Sequence, residues 1–459
     1  MGNMVEGKNR SGFAVIRVKP LGAGAGGGEK SALEAGAVAA VSIVRGGEAV
    51  HVDTEKGRAR AFDYPHCIVA PDEDQGQVYE KFMPPRVADF LQGINVNVMC
   101  YGQTGSGKTH TMFGPPGMML KASSGKYGMN VANEYGLCPR GIIDIMKRVS
   151  LLNQQSASTR YKLTASAVEL RFIEGNRDML RSAAEKQQFV KRGWQFTSDV
   201  QIGKETKPPI LLGQREIDLD GQLELFELFR SISTRSTRGT GMNDSSSRSH
   251  CFVYLNLYAY DTSANLLRRS RFQFVDLAGS ERMKDAHGTK NWKEGGQDAL
   301  QGLCVNYGLM LLSQRLRELS ASRHKSRKAR IQQSSKTQMD PDELSLLAES
   351  MSGDANSLIV ICVSSAAPNA TQSINALDFG SEFAKLTMEP RVAKSRKPKA
   401  WREDAAEWIA AGASQHSKGT SKYALRRQSM GRAGRQLNTI LDSLLGLGEH
   451  SNRSFAKKK

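Results

Sequence analysis

The sequence lacks any long hydrophobic run. No apolar stretch approaches the ~18–20 residues that a membrane-spanning helix needs, and the N-terminus lacks the apolar core of a secretory signal. The six cysteines are scattered and form no C-x-x-C pair, which argues against a zinc site and favours reduced, mostly buried thiols in an intracellular protein. With 39% hydrophobic and 7% aromatic residues, the composition is typical of a soluble globular protein.

Acidic residues are scarce in two parts of the chain. Residues 385–459 contain 17 Lys/Arg and 6 Asp/Glu, and so carry +11 of the total net charge of +18. A second stretch, residues 323–336, which we call the basic segment, contains no acidic residue. Its cations are Arg323, Lys325, Arg327, Lys328, Arg330 and Lys336. Such blocks are typical of solvated, flexible segments, and some of them bind a polyanion.

A glycine-rich stretch at 102–109, GQTGSGKT, has the G-x-x-x-x-G-K-[ST] spacing of a P-loop. The alternating apolar residues of 96–101 predict a buried strand before it, and a helix can begin near Thr109. A strand, a glycine turn and a helix N-terminus together aim backbone N–H groups and positive potential at one point. The stretch therefore predicts a nucleotide site in which Lys108 reaches the β- and γ-phosphates and Thr109 holds Mg²⁺ through its hydroxyl.

Two polar motifs follow beside strand-like segments. NDSSSRSH at 243–250 precedes the apolar residues 251–258, and DLAGSER at 276–282 follows the predicted strand 272–275. An aspartate at the end of a buried strand near a P-loop is the usual partner of the nucleotide's Mg²⁺. Together with GQTGSGKTHTM at 102–112, these motifs resemble switch I, switch II and the P-loop of the kinesin motor domain, in the same order along the chain.

The resemblance implies an α/β fold, a P-loop NTPase with a central, mostly parallel or mixed β-sheet flanked by helices on both faces. It covers residues 13–388 and leaves a flexible N-terminus at 1–12 and a basic C-terminal tail at 389–459. Residues 115–135, inserted after the P-loop region, have no clear periodicity and predict a surface loop.

The C-terminal tail contains a short seven-residue repeat. Its two series are Met430, Leu437, Leu444 and Ala433, Ile440, Leu447. Barely two and a half heptads are too few for a stable coiled coil, and Gly431 and Gly434 weaken the front half of a helix. The pattern favours a short helix over 430–447 that docks on the head or on a partner, and it leaves self-association open.

The resemblance also implies roles for single residues. The ATP-binding set is Arg17, Pro20, Gly102, Gln103, Thr104, Gly105, Ser106, Gly107, Lys108, Thr109 and His110, of which Arg17, Pro20 and His110 would flank the base. The residues that would hold Mg²⁺ or its waters are Thr109, Ser246, Ser247 and Asp276. The catalytic set is Asn243, Arg248, Gly279 and Glu281. Gly279 would sense the γ-phosphate through its N–H, while Arg248 and Glu281 would pair when the switches close.

The resemblance weakens at the elements that face the microtubule in kinesins. Residues 299–316 are apolar and helix-like but lack the Asn-Lys-Ser core of that helix, and the basic segment stands where the family has Y-R-x-S-K-L-T. The resemblance implies a microtubule-dependent ATPase and motor, which uses ATP and Mg²⁺ and couples hydrolysis to microtubule binding and movement, in the cytoplasm on the microtubule cytoskeleton. The missing signatures leave open a non-motile, microtubule-binding or regulatory relative.

A third function, a nucleic-acid-dependent P-loop ATPase, rests on the basic tail alone. The tail lacks interleaved aromatic residues for base stacking, and the chain has no recognisable nucleic-acid-binding fold. The sequence therefore argues against nucleic acid as a partner, and the absence of long apolar runs argues against a membrane.

Overall fold

The structure is a computed structural model. It describes the following parts of the chain: residues 10–21, 39–53, 59–171, 175–181, 200–203, 210–235, 248–280, 296–322, 325–326, 329–330, 342–413 and 421–446. Among the helices in these ranges, none is long and apolar enough to cross a membrane.

The described strands are numbered in chain order. They are β1 (Arg10–Ser11), β2 (Phe13–Lys19), β3 (Val41–Val44), β4 (Ala49–Asp53), β5 (Ala59–Phe62), β6 (Cys67–Val69), β7 (Val96–Tyr101), β8 (Thr159–Leu170), β9 (Arg177–Asp178), β10 (Gln201–Gly203), β11 (Ile210–Leu212), β12 (Ile217–Asp218), β13 (His250–Asp261), β14 (Leu266–Asp276), β15 (Asn356–Ser364) and β16 (Thr387–Met388).

The α-helices are numbered in the same way. They are α1 (Gln75–Phe82), α2 (Pro84–Leu91), α3 (Lys108–Phe113), α4 (Met118–Ser123), α5 (Leu137–Gln155), α6 (Gln222–Ser233), α7 (Gly296–Ala321), α8 (Asp342–Ser352), α9 (Ala370–Ala384), α10 (Pro398–Ala413) and α11 (Ser421–Leu445).

A mixed nine-stranded sheet forms the centre of the molecule. Its strand order is β12-β8-β13-β14-β7-β15-β2-β6, with β9 beside β8. Strand β7 lies between β14 and β15 and is parallel to both, and β2 extends the parallel part beyond β15. The carboxyl ends of β7 and β14 therefore meet at one edge, where the P-loop follows β7 and Asp276 ends β14. The predicted mixed α/β fold is confirmed.

Side chains of β7 alternate between two hydrophobic cores because successive residues of a strand point to opposite faces. Val96, Val98 and Cys100 join the core that helices α1 to α6 cover. Met99 and Tyr101 join the core under α7, α8 and α9. All six residues of β7 are buried, which explains why the sequence before the P-loop is so apolar.

The predicted surface loop at 115–135 is wrong for part of its length. Helix α4 lies within it, and Met118, Met119 and Ala122 are buried. Tyr135 is fully buried and packs edge-on against Phe229 of α6. A six-residue helix has too few turns to show a periodicity in sequence, so its burial depends on the neighbouring helix rather than on a local pattern.

Helices α10 and α11 form an antiparallel hairpin on the outer part of the sheet. Leu437, Ile440, Leu441 and Leu444 of α11 pack against Tyr258 and Leu267 of strands β13 and β14. Helix α11 begins nine residues before the predicted 430 because Ser421–Leu445 is helical throughout. Gly434, expected to weaken it, permits close helix packing, since a Cβ there would lie 2.4 Å from the carbonyl oxygen of Ala405.

Candidate nucleotide site

The glycine-rich loop between β7 and α3 has a backbone that only glycine adopts easily. Gly105 and Gly107 have φ angles of 78° and 98°, in the left-handed region. At Gly102, with φ 151°, a Cβ would lie 2.1 Å from the carbonyl oxygen of Cys362 on the neighbouring strand. The glycines predicted from spacing therefore serve two purposes here, a tight turn and a close approach to β15.

Lys108 lies inside this loop. Its side chain is buried, and its Nζ donates a hydrogen bond of 2.8 Å to the carbonyl oxygen of Gln103. Ser106 Oγ donates to the same oxygen at 2.8 Å, so both side chains hold the loop in shape. Gln103 Oε1 is buried and accepts no hydrogen bond from the part of the chain that the structure describes. The loop thus concentrates a buried positive charge and an unsatisfied polar atom at one place.

Thr109 and Asp276 meet although 167 positions separate them in sequence. Thr109 Oγ1 donates to Asp276 Oδ2 at 2.7 Å. The other carboxylate oxygen, Oδ1, is buried and has no hydrogen-bond partner among the described residues. Hard oxygen donors of this kind are the ligands that Mg²⁺ prefers. Thr109, in the first turn of α3, and Asp276, at the end of β14, are two of the residues predicted to hold Mg²⁺, and the structure brings their side chains into contact.

A buried arginine that the sequence interpretation missed holds the same aspartate. Arg235, just after α6, forms an ion pair with Asp276 Oδ2 and donates to the carbonyl oxygen of Ser249 at 2.7 Å. Burial alone would lower the pKa of Arg235, but the carboxylate of Asp276 raises it above its usual value. Arg235 follows the apolar pattern of α6 directly, so its position at a helix end was the one available signal.

The ion pair belongs to a larger buried network. Glu169, which is fully buried on β8, accepts hydrogen bonds from Ser249 Oγ at 2.8 Å and from Arg177 at 3.2 Å. Burial would raise the pKa of Glu169, but the nearby guanidinium groups, Arg171 foremost, hold it below its usual value. The network connects β8, the start of β13 and the end of β14 behind the nucleotide site.

Backbone hydrogen bonds join the DLAGS stretch to the P-loop. The N–H of Ser280 donates to the carbonyl oxygen of Gly102 at 3.2 Å. The N–H of Ala278 donates to Nδ1 of His250, at the start of β13, at 3.1 Å. Gly279 lies between these two bonds and is buried. The predicted γ-phosphate sensor is therefore held from both sides, by the P-loop and by the strand that follows switch I.

Burial gives His250 a pH effect that unfolding experiments can measure. Burial lowers the pKa of His250 from 6.5 to about 3. Below pH 6.5 the unfolded chain takes up a proton that the folded chain refuses. The free energy of unfolding should therefore decrease as the pH is lowered below 6.5. The contribution of this group to the slope should approach about 1.4 kcal/mol per pH unit. Urea denaturation of His250→Asn between pH 6 and 4 should show a slope smaller by that amount, and an unchanged slope would contradict the assignment.

Two of the three residues predicted to flank the base, Arg17 and His110, are joined through Gln75. Arg17 donates to Gln75 Oε1 at 2.8 Å and to Thr111 Oγ1 at 3.0 Å. Gln75, which the sequence interpretation did not single out, also donates to the carbonyl oxygen of His110 at 2.6 Å. Lys19, at the end of β2, donates to the carbonyl oxygen of Gly105 at 3.0 Å.

The remaining predicted residues divide into two groups. Pro20 is exposed at the end of β2, and Arg248 begins the described stretch before β13, where its carbonyl oxygen accepts a 2.8 Å hydrogen bond from Gln301 of α7. The rest lie outside the described residues, so their roles stay predictions: Asn243, Ser246, Ser247 and Glu281.

One member of the basic segment is not a solvated cation. Arg330 is buried and donates to Glu389 Oε1 at 2.7 Å, so its charge has an acidic partner from a distant part of the chain. The expectation of a loop without compensating acid is wrong at this residue, because tertiary folding brings Glu389 to it. Lys325 is exposed.

Comparison with known proteins points to one family. A family model described as the kinesin motor domain matches residues 17–386. The chain is 29% identical over 357 residues to the chromosome-associated kinesin KIF4 of Xenopus laevis, covering 77% of this chain and 26% of that protein. It is 28% identical over 348 residues to the kinesin-like protein KIF27 of Homo sapiens, covering 73% of this chain and 22% of that protein. The chain thus spans about a quarter of the length of these relatives.

Solved structures agree in fold. A KIF14 dimer with AMP-PNP in complex with a microtubule superposes with a TM-score of 0.65 at 23% identity, covering 84% of this chain and 97% of that one. The structure of a fast kinesin gives a TM-score of 0.64 at 20% identity, covering 84% of this chain and 94% of that one. Because the family model spans most of the sequence and includes the P-loop, Asp276 and Gly279, this chain belongs to the kinesin motor domain family.

Proposed function

We propose that the chain is a kinesin-type motor, which hydrolyses ATP and couples that reaction to microtubule binding and movement. The observation that carries the proposal is the contact between Thr109 and Asp276 beside the buried Lys108, within a chain of this family. A lysine, a hydroxyl and a carboxylate of this kind are the groups with which P-loop NTPases hold phosphates and a metal ion, which supports the proposal. The proposed place of action is the microtubule cytoskeleton of the cytoplasm.

The residues at the site fit a magnesium ion bound with ATP. The hydroxyl of Thr109 and the carboxylate of Asp276 would hold it, with Ser246 and Ser247 as further proposed ligands. The buried Asp276 Oδ1 without a described partner supports this assignment. When bound, the ion would neutralise charge on the phosphates. Arg235 would hold the carboxylate of Asp276 in place through their ion pair.

Hydrolysis would depend mainly on positioning, since phosphoryl transfer requires little covalent chemistry from the protein. Lys108 and the loop backbone would bind the phosphates, and the N–H of Gly279 would contact the γ-phosphate. Arg248 and Glu281, with Asn243 nearby, would align the attacking water. Loss of the γ-phosphate would then release the switches.

Helix α7 connects the end of switch I with an exposed surface of the molecule. The Gln301 side chain of α7 donates to the carbonyl oxygen of Arg248, so this helix is tied to the end of switch I. Leu309, Leu312 and Leu316 anchor α7 in the core, while Leu303, Tyr307 and Met310 are exposed along it. A change at the switches can therefore reach an exposed helix face directly.

The experiment that tests this function is ATPase turnover of the purified chain with and without microtubules, followed by a gliding assay. We expect microtubules to increase turnover and immobilised chain to move them. Stimulated turnover without gliding would favour the non-motile relative instead. Turnover stimulated by RNA or DNA but not by microtubules would contradict the proposal and favour the third alternative.

The basic segment is the proposed electrostatic contact with the acidic microtubule surface, in place of the missing family signatures. Because Arg330 is buried and paired, the test replaces only Arg323, Lys325, Arg327 and Lys328, each by glutamine. We expect weaker co-sedimentation with microtubules and a flatter salt dependence, because attraction between exposed charges weakens as salt shortens the Debye length, which is ~8–10 Å near physiological ionic strength.

The matched control replaces four tail cations beyond the head, Arg453, Lys457, Lys458 and Lys459, by glutamine. ATPase activity without microtubules should stay unchanged in both variants. If the control variant alone weakens co-sedimentation, the tail rather than the basic segment supplies the attraction.

A further inference from the structure

The last described part of the chain folds back on its own head. Residues 389–397, which we call the linker, run from β16 to α10 and are mostly exposed, with Val392 at 50% exposure. Three backbone N–H groups attach the linker to the head. Glu389 donates to Gly353 at 2.8 Å, Ala393 to Gly93 at 2.8 Å, and Arg396 to Leu267 at 2.9 Å. Apart from the ion pair between Arg330 and Glu389 at its start, the linker has few bonds, and these lie on exposed backbone that they hold weakly by themselves.

The hairpin of α10 and α11 anchors the end of the linker. Trp401 of α10 is buried against Leu267, and its indole Nε1 donates to the carbonyl oxygen of Leu267 at 3.4 Å. The guanidinium groups of Arg269 and Arg396 lie 5.6 Å and 5.2 Å from the centroid of the Trp401 ring. Arg396 of the linker also donates twice to Asp404 of α10, at 2.7 Å and 3.2 Å.

Leu267 therefore joins two attachments at one residue. Its backbone exchanges hydrogen bonds with Arg396 of the linker, at 2.8 Å and 2.9 Å, and its side chain packs in the apolar cluster of the hairpin. If the hairpin dissociates from this surface, Leu267 and Trp401 lose their packing at the same time. The linker then loses its anchor at the same time.

Helix α11 attaches at further points on the sheet. Arg160 donates to the carbonyl oxygen of Leu444 at 3.2 Å, and Lys162 Nζ donates to Ser443 Oγ at 3.1 Å. Gln436 donates to Glu216 at 3.0 Å. The seven-residue repeat that left self-association open is thereby used within the chain, since Leu437, Ile440 and Leu444 are buried on the head.

We propose that α10–α11 is a strap in cis, which holds the linker along the sheet and keeps the apolar seam of α11 covered. Release of the strap frees the linker and exposes the seam in one event. The proposal goes beyond the motor function and does not depend on it, because it concerns contacts within one chain.

The test places a nitroxide at Val392→Cys in the full chain, with Cys67 and Cys304 replaced by serine. In this background Leu441→Glu, which puts a charge at a fully buried contact of α11, should change the linker spectrum from immobilised to mobile. The matched control is Leu223→Glu on α6, where the leucine is 77% exposed, and it should leave the spectrum immobilised. Equal spectra for the two variants would overturn the proposal.

Hydrogen exchange of the unmodified chain provides a second test. It uses no substitution, so misfolding of a variant cannot affect its result. The amide of Arg396 should exchange together with the amides of Ile440 and Leu441, with the same dependence on low denaturant, because one opening event exposes them. Exchange of the α11 amides by an opening that leaves the Arg396 amide protected would refute the strap. Neither measurement requires ATP or microtubules, so its failure is distinguishable from failure of the motor function.

Discussion

Replacing Lys108 by alanine is expected to abolish binding of ATP while leaving the fold intact. Lys108 is buried, and its Nζ donates to the carbonyl oxygen of Gln103 within the loop. Losing a charge-assisted contact to phosphate inside such a site costs roughly 3 kcal/mol, which corresponds to about a hundredfold in affinity or more. Titration with a fluorescent ATP analogue measures this loss.

A matched control for the same substitution is Lys147→Ala on α5, where the lysine is exposed. It should bind the analogue as the unmodified chain does. Circular dichroism and urea unfolding of both variants separate a binding defect from a folding defect. If folded Lys108→Ala kept the affinity of the unmodified chain, the nucleotide would bind elsewhere and the site assignment would be wrong.

Replacing either Arg248 or Glu281 by alanine is expected to stop hydrolysis while sparing ATP binding. The two residues are proposed to act as one unit when the switches close, and removal of one positioned catalytic group typically costs about 10²–10⁴ in rate. The double variant should be no slower than the single ones, because residues that act together are not additive. Single-turnover ATPase rates with bound nucleotide measure the effect.

The control is Arg230→Ala on α6, an exposed arginine outside the nucleotide site, which should hydrolyse ATP normally. Retention of the ATP analogue by all variants establishes that only the chemical step has changed. If the losses in rate multiply in the double variant, Arg248 and Glu281 act independently. The proposal that they act as one unit would then be wrong.

Much of the nucleotide site was predictable because its determinants are local. A P-loop requires glycines at fixed places, a strand before them and a helix after them. Each of these requirements can be recognised within about fifteen residues of sequence. The same holds for Asp276 at the end of β14. Since parallel neighbours bring their carboxyl ends to one edge, the meeting of Thr109 and Asp276 follows from two local motifs and the sheet order.

Other parts of the site depend on contacts between distant residues. Arg235 and Asp276 are 41 positions apart, and the place of Arg235 at a helix end does not by itself indicate that it enters the core. Gln75 likewise joins Arg17 and His110 from a separate helix. A polar residue at the end of a helix is usually solvated, so only the packing of α6 and α1 against the sheet shows that these two are buried.

The sequence by itself predicted the glycine-rich loop, the aspartate at the end of β14 and the mixed α/β class, because short-range backbone geometry and strand periodicity encode all three. Only the tertiary structure decided which surface the C-terminal repeat covers. A heptad seam such as Leu437 and Leu444 has the same local pattern whether it packs against a partner helix or against its own head. Which surface it covers depends on where β13 and β14 present Tyr258 and Leu267, a matter of distant packing that no local pattern contains.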